Sequence, residues 1–449
     1  MALKKGKDKK TVLMLSHQFT GVTGFANVTR RVAMALDEAG HEVYVIGQNY
    51  KGFPITPKET GNVVMLPSGN DLWGADIVPF YMDLYKPDIV WTLTDIWACH
   101  YLFNMQKKWP WQWVRHITLD TENITPWWLD TLKQTDIPIA FSKMGEALMR
   151  RAGVNWGTYI PHGVDTATYR PAEPSEKAAL REKMGAVEVL PGNVAQPRGK
   201  VIRPDDFVVL TVAHNQFRKN LDVLIRAFAI FARDKDDAKL ILHCQPKDGL
   251  GWDIPQLIRK YELAGKVFFT SMNAKMVADV FVTEKMMRDL YCMADVHALL
   301  TGGEGFGVPY VESMACGIPN LATMWTTPKE FFADFSEGET EKDGKKVKTL
   351  NVEMTRGLLV PVDHVVDHHT GGEWGLANEV EAVKALETFY RNPEGRAKMG
   401  KAARDFAVEN YDWAKITPKW IDVIENPDKY SKPVQREPVE VKLLDWKAG

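Results

Sequence analysis

No stretch of the 449-residue chain reaches the ~18 consecutive apolar residues of a membrane-spanning helix. A secretory signal is missing as well, because MALKKGKDKK passes straight into the strand-like TVLMLSH without an apolar core and cleavage site. Cysteine is scarce. Cys99, Cys244, Cys292 and Cys316 are far apart and form no C-x-x-C pair, which excludes a zinc knuckle or a disulfide framework and fits a reducing, cytoplasmic location. Charge of one sign is lacking too: 56 Lys and Arg face 58 Asp and Glu, a net charge of −2, so no chain-wide field holds a polyanion. The one dense basic run, at the start, reads as a solvated terminus. With 33 Gly and 25 Pro the chain is not of low complexity, and 45% hydrophobic with 25% charged residues lies in the ordinary globular range. At roughly 100–200 residues per domain, two domains are expected.

What is present is strand and helix in alternation, twice over. TVLMLSH (11–17) ends in the glycine turn TGVTG, and FANVTRRVAMALDEAG then spaces Phe25, Val28, Val32, Ala35 and Leu36 along one helical face, with Gly40 placed to close the helix. HEVYVIG (41–47), KPDIVWTL (86–93) and IPIAFS (137–142) continue a parallel α/β pattern. Across 171–205 the Pro-rich, charged sequence breaks that pattern and reads as a connection with one short helix. DFVVLTVAH (206–214), LDVLIRAFAIFARD (221–234), AKLILHCQ (238–245), KVFFTSM (266–272) and VHALLT (296–301) restart it. The expected layout is an N-terminal Rossmann-like domain over 1–172, a connection with insertion over 173–205, and a second Rossmann-like domain over 206–411. The segment 412–449 is expected to return to the first domain. Two doubly wound domains place their crevices at the carboxyl ends of their strands, facing a common cleft.

The strongest motif follows the strand VHALLT. In GGEGFGVPYVESMACGIPNLAT, Gly302, Gly303, Gly305 and Gly307 surround Glu304, an apolar helix begins, and Glu312 lies about two turns on. Glycines permit close backbone approach, and the amides of a helix start favour an anion or sugar hydroxyls.

The string EGFGVPYVESMACGIP resembles the Glu, seven residues, Glu signature of the retaining family four glycosyltransferases, which have the GT-B fold of two Rossmann-like domains. The resemblance extends to NQFRKNLDVLIRAF (215–228), IPHGVDTATYRP (160–171), RGLLVPVD (356–363) and GFANVTRRVAMALDEAGHEVYVIG (24–47), while 186–200 and 336–350 look like private insertions. It implies a nucleotide-diphosphate sugar as donor substrate, with no separate cofactor and no metal. Arg218 and Lys219 would bind the donor diphosphate, Glu312 the ribose, and Glu304 with the amides of Gly305, Phe306 and Gly307 the transferred sugar. The family's other phosphate-binding arginine is replaced here by His214 or Asn215. The base would be read by backbone near Ser271 to Ala274, without a choice among UDP, GDP and ADP.

In the first domain, VRHITLDTEN (114–123) puts Asp120 where the family carries a histidine near the reacting centre, and His116 is expected in the core. In a retaining front-side displacement the leaving phosphate can take the acceptor's proton, so Asp120 need only orient hydroxyls. Thr23 and Gly24 in TGVTGF would face the acceptor or the phosphate. Asp120 and Glu122 in D-T-E could instead be a metal motif of the other glycosyltransferase fold, but its flanking pattern is absent. The tryptophans of WPWQW (109–113) and WW (127–128) are expected in packing, and DHVVDHH (363–369), with His364 and His368 at metal spacing, as a solvated loop. The sequence thus points to a retaining glycosyltransferase with an unidentified acceptor: glycan, small molecule, lipid or modified DNA. A non-catalytic sugar-nucleotide-binding protein of the same fold is the alternative. A lipid acceptor would involve peripheral membrane contact through KMGEALMRRAG (143–153), whose basic face is short.

Overall fold

The apolar, β-branched runs become parallel strands buried on both faces, as crossover helices require. The structure is a computed structural model that describes residues 9–433 other than 22, 185, 191–193, 199–200, 271–281, 343–344 and 368–370. The first sheet contains β1 (Thr11–His17), β2 (Glu42–Gln48), β3 (Val64–Leu66), β4 (Ile89–Thr94), β5 (Gln112–Ile117), β6 (Ile137–Ala140) and β7 (Thr158–Tyr159). All are parallel, in the order β3-β2-β1-β4-β5-β6-β7. The chain therefore reverses its direction of winding between β1 and β4, and this switch point opens a crevice at their carboxyl ends.

The second sheet is built on β10 (Phe207–Val212) after an edge hairpin, β8 (Ala186–Leu190) and β9 (Val194–Arg198). It continues with β11 (Ala238–His243), β12 (Val267–Thr270), β13 (Val296–Leu299) and β14 (Asn320–Thr323). A long hairpin of β15 (Ala333–Lys342) and β16 (Lys345–Met354) precedes β17 (Gly357–Val360), and β18 (Val362–Asp367) pairs with β19 (Glu373–Ala377). The order β17-β14-β13-β10-β11-β12-β8-β9 puts this sheet's switch point between β10 and β13. The two switch points face each other across one cleft.

Helices cover the sheets for local reasons. In Gly24–Glu38 the side chain of Thr23 caps the first turn by accepting from the Ala26 amide, and Val28, Val32 and Leu36, four apart, are buried against the sheet. Each such burial is worth about 1.5–3 kcal/mol. Gly40 follows at φ +95°, a left-handed turn that ends the helix as the sequence suggests. The late helix Trp413–Glu425 packs on Gly24–Glu38, with Trp420 fully buried beside Trp91 and His116. Residues 434–449, the rest of the expected returning segment, lie outside the described residues.

Two expectations need correction. The stretch 173–205 contains the helix Pro174–Lys183, but β8 and β9 are no mere connection: β8 pairs antiparallel with β12 and extends the sheet. The expected insertion at 336–350 forms most of the β15–β16 hairpin. The expected loop at 363–369 is the strand β18, whose His364 is exposed beside Asp363 at 3.5 Å, while His368 lies outside the described residues. Among the described residues no helix is long and apolar enough to cross a membrane.

Candidate active site

The cleft between the sheets is a cavity of about 1270 Å³ whose lining includes Thr23, Gly24, Asp120, Arg218, Lys219, Glu304, Gly305, Phe306, Gly307 and Glu312. These ten residues, all singled out from the sequence, thus share one space. Each arrives from the carboxyl end of a strand, which is why residues nearly 300 positions apart converge.

At the second sheet's switch point, a 3-10 turn at Phe217–Lys219 follows β10 and delivers two cations against Glu304 from the loop after β13. Lys219 Nζ donates to Glu304 Oε1, and an Arg218 guanidinium nitrogen lies 3.6 Å from Glu304 Oε2. Arg218 also donates to the Gly303 carbonyl, and its Nε lies 3.6 Å from Asp120 Oδ2 across the cleft. Glu304 is buried, and the Arg218 and Lys219 side chains keep only 18% and 12% of their surface exposed. Burial alone would raise the Glu304 carboxyl, but Lys219 and Arg218 hold it below its ordinary value. Burial, and then the neighbouring Arg218, lower the Lys219 amine. The guanidinium of Arg218, which burial would lower, is raised by Glu304, Asp120 and Asp95.

Glu312 sits on the helix Val308–Ala315, where it accepts hydrogen bonds from Tyr169 at 3.0 Å and Tyr291 at 2.7 Å. Burial outweighs both bonds and pushes its carboxyl up to about 7. Each carboxylate oxygen has a second lone pair, so the cleft side of Glu312 can still accept from a ligand hydroxyl. The glycine loop has a function that the sequence did not reveal. A Cβ on Gly303 would collide with the Asp120 carbonyl, and one on Gly305 would sit 2.7 Å from the Thr118 side chain. These glycines let the two domains touch beside the cleft. Phe306 offers its backbone only, since its ring is buried against His162, Phe331 and Tyr411.

In the first domain, Asp120 lines the cleft with Arg218 as its ion-pair partner. The motif D-T-E does not converge on one point, because Glu122 instead accepts from the Thr326 amide at 2.8 Å and pairs with Lys329 in the other domain. His116 is fully buried, with Nε2 3.0 Å from the Ile160 carbonyl. Thr23 Oγ1 meets His17 Nδ1 at 2.9 Å. Asn215 is spent on the loop 245–252, bonding the Gln245 and Trp252 carbonyls, whereas His214 pairs with Asp248 at 3.0 Å on the cleft wall. Of the tryptophans singled out, Trp111, Trp113 and Trp128 are core residues and Trp127 is 48% exposed. The basic face of 143–153 is partly used up, since Arg150 bonds the carbonyls of Val154, Trp156 and Gly157. Ser271 to Ala274, expected near the base, lie outside the described residues.

Among the cleft residues that sequence reasoning missed are His17, Asp95 and His162. His162 is 2% exposed, neither ring nitrogen has a hydrogen-bond partner among the described residues, and burial lowers it to about 3, so it is neutral. Asp95 is the first residue after β4, at the switch point, and that position was the available signal.

Comparison with known proteins follows the same division of the chain. A family model described as Glycosyltransferase Family 4 matches residues 22–168, and one described as Glycosyl transferases group 1 matches residues 195–358. The chain belongs to this glycosyltransferase family. A GDP-mannose-dependent monoacylated alpha-(1-6)-phosphatidylinositol monomannoside mannosyltransferase of Corynebacterium glutamicum is 26% identical over 173 residues, 36% of this chain. That alignment spans 37% of the relative's own length. Sucrose-phosphate synthase from Thermosynechococcus elongatus superposes with a TM-score of 0.69 at 17% identity, over 94% of this chain and 99% of that one. HepE of Anabaena, solved with UDP and glucose, superposes with a TM-score of 0.63 at 16% identity, over 92% and 99% of the two chains. These likenesses establish the GT-B fold.

Proposed function

We propose that the protein is a retaining glycosyltransferase that moves a sugar from a nucleotide-diphosphate donor to an acceptor hydroxyl. The observation that carries this reading is the convergence of Arg218, Lys219 and Glu304 at the second switch point, with Asp120 opposite at 3.6 Å from Arg218. In this reading the donor diphosphate binds against Arg218 and Lys219, displacing part of their pairing with Glu304. Glu304 and the amides of Gly305 to Gly307 take sugar hydroxyls, and Glu312 takes the ribose. The bond from the anomeric carbon to the phosphate oxygen breaks as the acceptor oxygen bonds the same face. The acceptor proton passes to the departing phosphate oxygen, and the two cations neutralise the charge that grows there. Asp120 orients hydroxyls at the reacting carbon. The neighbouring GDP-mannose and UDP names support a nucleotide sugar and leave the base open.

Glu312 provides a pH test. Its folded value of about 7 lies above the ordinary glutamate value, so its contribution to stability is full below ~4.5 and is lost as pH rises through about 7. Glu312→Gln should therefore be more stable than wild type at pH 8, by about 3 kcal/mol, and about equal to it at pH 4. A ribose hydroxyl donates to the ionised form, so nucleoside affinity in the wild type should rise with pH through about 7 and stay flat in the variant. Thermal melts and calorimetric titrations at both pH values check the pair of outcomes.

The function itself is tested by screening UDP-, GDP- and ADP-sugars for thermal stabilisation and slow nucleotide release. The expected result is one base preferred, with stabilisation and release for the same donor. Stabilisation by a donor that is neither hydrolysed nor transferred would replace catalysis with simple sugar-nucleotide binding.

A further inference from the structure

Glu122, the last residue of the D-T-E run, has no role in the proposed transfer, yet it ties the first domain to the turn that supports Glu304. It stands on the loop that follows β5, and its side chain is 20% exposed. Its Oε1 accepts from the Thr326 amide at 2.8 Å and from Lys329 Nζ at 2.5 Å. Both partners belong to the second domain, in the turn after β14 and at the start of the helix Pro328–Phe332. The next residue strengthens the same docking, since Asn123 donates to the Gly371 carbonyl at 3.0 Å and accepts from the Glu373 amide at 3.0 Å.

Thr326 is fully buried at φ +49°, in the left-handed region that a β-branched residue rarely adopts. Such a conformation persists only where the surroundings over-determine it, and it collects at functional sites. Here Glu122 holds the amide of Thr326, and the Glu304 amide donates to its Oγ1 at 2.9 Å. Thr327, also fully buried, donates to the carbonyls of Glu304 at 2.8 Å and Gly305 at 3.0 Å. Two adjacent threonines thus hold both backbone polar groups of Glu304, and a carboxylate from the opposite domain holds the turn that presents them. With its backbone fixed in this way, Glu304 sets its carboxylate against Lys219 and Arg218.

We propose that Glu122 and Thr326 are positioning residues for Glu304, a relay through which contact with the first domain sets the backbone of the sugar-binding loop. The effect on turnover rests on the glycosyltransferase reading, whereas the relay itself is a property of the fold. Loss of Glu122 leaves a buried amide without its acceptor and frees Thr326 to relax out of the left-handed region, which carries its Oγ1 away from the Glu304 amide. Arg218, Lys219 and Glu312 stand on other elements, so diphosphate and ribose contacts are spared while the loop loses the placement that the transition state requires.

The test uses the full chain and the donor found by the screen. Glu122→Ala should lower kcat about 10- to 100-fold at unchanged nucleoside-diphosphate affinity, and Glu122→Gln, which keeps an acceptor for the Thr326 amide, should restore most of it. Lys329→Met removes only the ion pair and should turn over near the wild-type rate. Thr326→Val keeps the shape but not the acceptor and should resemble Glu122→Ala, whereas Thr326→Ser should stay close to wild type. Amide hydrogen exchange gives a readout free of catalysis: in Glu122→Ala and Thr326→Val, exchange across 302–307 should quicken about tenfold or more while β10 keeps its protection. A Glu122→Ala variant that melts early but keeps its kcat per folded molecule and its exchange across 302–307 overturns the relay, as does a Lys329→Met variant that loses as much as Glu122→Ala. A wild type that releases sugar from no donor has a different signature: the glycosyltransferase reading falls, and the exchange result alone then upholds or overturns the relay.

Discussion

Lys219→Ala should weaken nucleoside-diphosphate binding by about 10- to 100-fold, the effect of losing one hydrogen bond to a charged group, while nucleoside binding changes little. The same substitution should cost folding stability, because it strips the closer of two cations from a buried carboxylate. Removing one partner of a buried pair costs about 3–5 kcal/mol, and here about 2–3 kcal/mol is expected since Arg218 remains 3.6 Å from Glu304. The two losses can be separated. In Lys219→Met with Glu304→Gln the carboxylate leaves together with its closer cation and Arg218 keeps Asp120 at 3.6 Å, so stability should recover in part while diphosphate affinity stays low. Glu304→Gln alone should keep most donor affinity and lose turnover, as a group that contacts the transferred sugar most strongly in the transition state. Denaturant melts, calorimetry with nucleoside and nucleoside diphosphate, and initial rates on the same preparations decide this. Equal losses for the two ligands would remove the phosphate assignment, and recovery of both properties in the double variant would make the pair purely structural.

What the sequence revealed and what it hid follow from the range of the interactions involved. Glu304, its glycines and Glu312 lie within eleven residues, so their loop-then-helix setting is written locally, as is the Arg218–Lys219 turn after β10. Asp95 carries no such local pattern. It matters because β4 pairs with β1 across a long crossover, a fact of sheet order, and only the switch-point rule applied to that order singles it out. The purpose of Gly303 and Gly305 was likewise invisible, since what their missing side chains admit is Thr118 to Asp120, nearly 190 positions earlier. The hairpin β8–β9 was misread for another reason. Proline and charge mark loops in general, but an edge strand tolerates both, and Pro197 lies in the outermost strand of the sheet.

Asp120→Asn should reduce sugar transfer by roughly 10²-fold or more while leaving the fold and donor binding near normal. The competing reading of this residue is a carboxylate that caps the turn TENITP, in which case the variant would melt early and keep its turnover per folded molecule. The geometry argues against capping. Thr121 closes that turn by donating to the Asn123 carbonyl at 2.7 Å, and Thr125 caps the following helix by accepting from the Trp128 amide at 3.3 Å. The Asp120 side chain instead faces Arg218, whose Nε lies 3.6 Å away, with no shorter bond holding it. An ion pair at that length contributes little to stability next to a full hydrogen bond, so its loss should barely move the melting temperature. Asp120 lines the cleft, and in the proposed function its remaining acceptor capacity serves the sugar and the incoming hydroxyl, where an amide would offer one acceptor and a misplaced donor. Melting temperature, donor affinity and transfer rate measured together decide the matter. A variant that melts early at full turnover would assign Asp120 to the turn, and one that turns over normally at an unchanged melting temperature would leave the reacting centre to the donor phosphate.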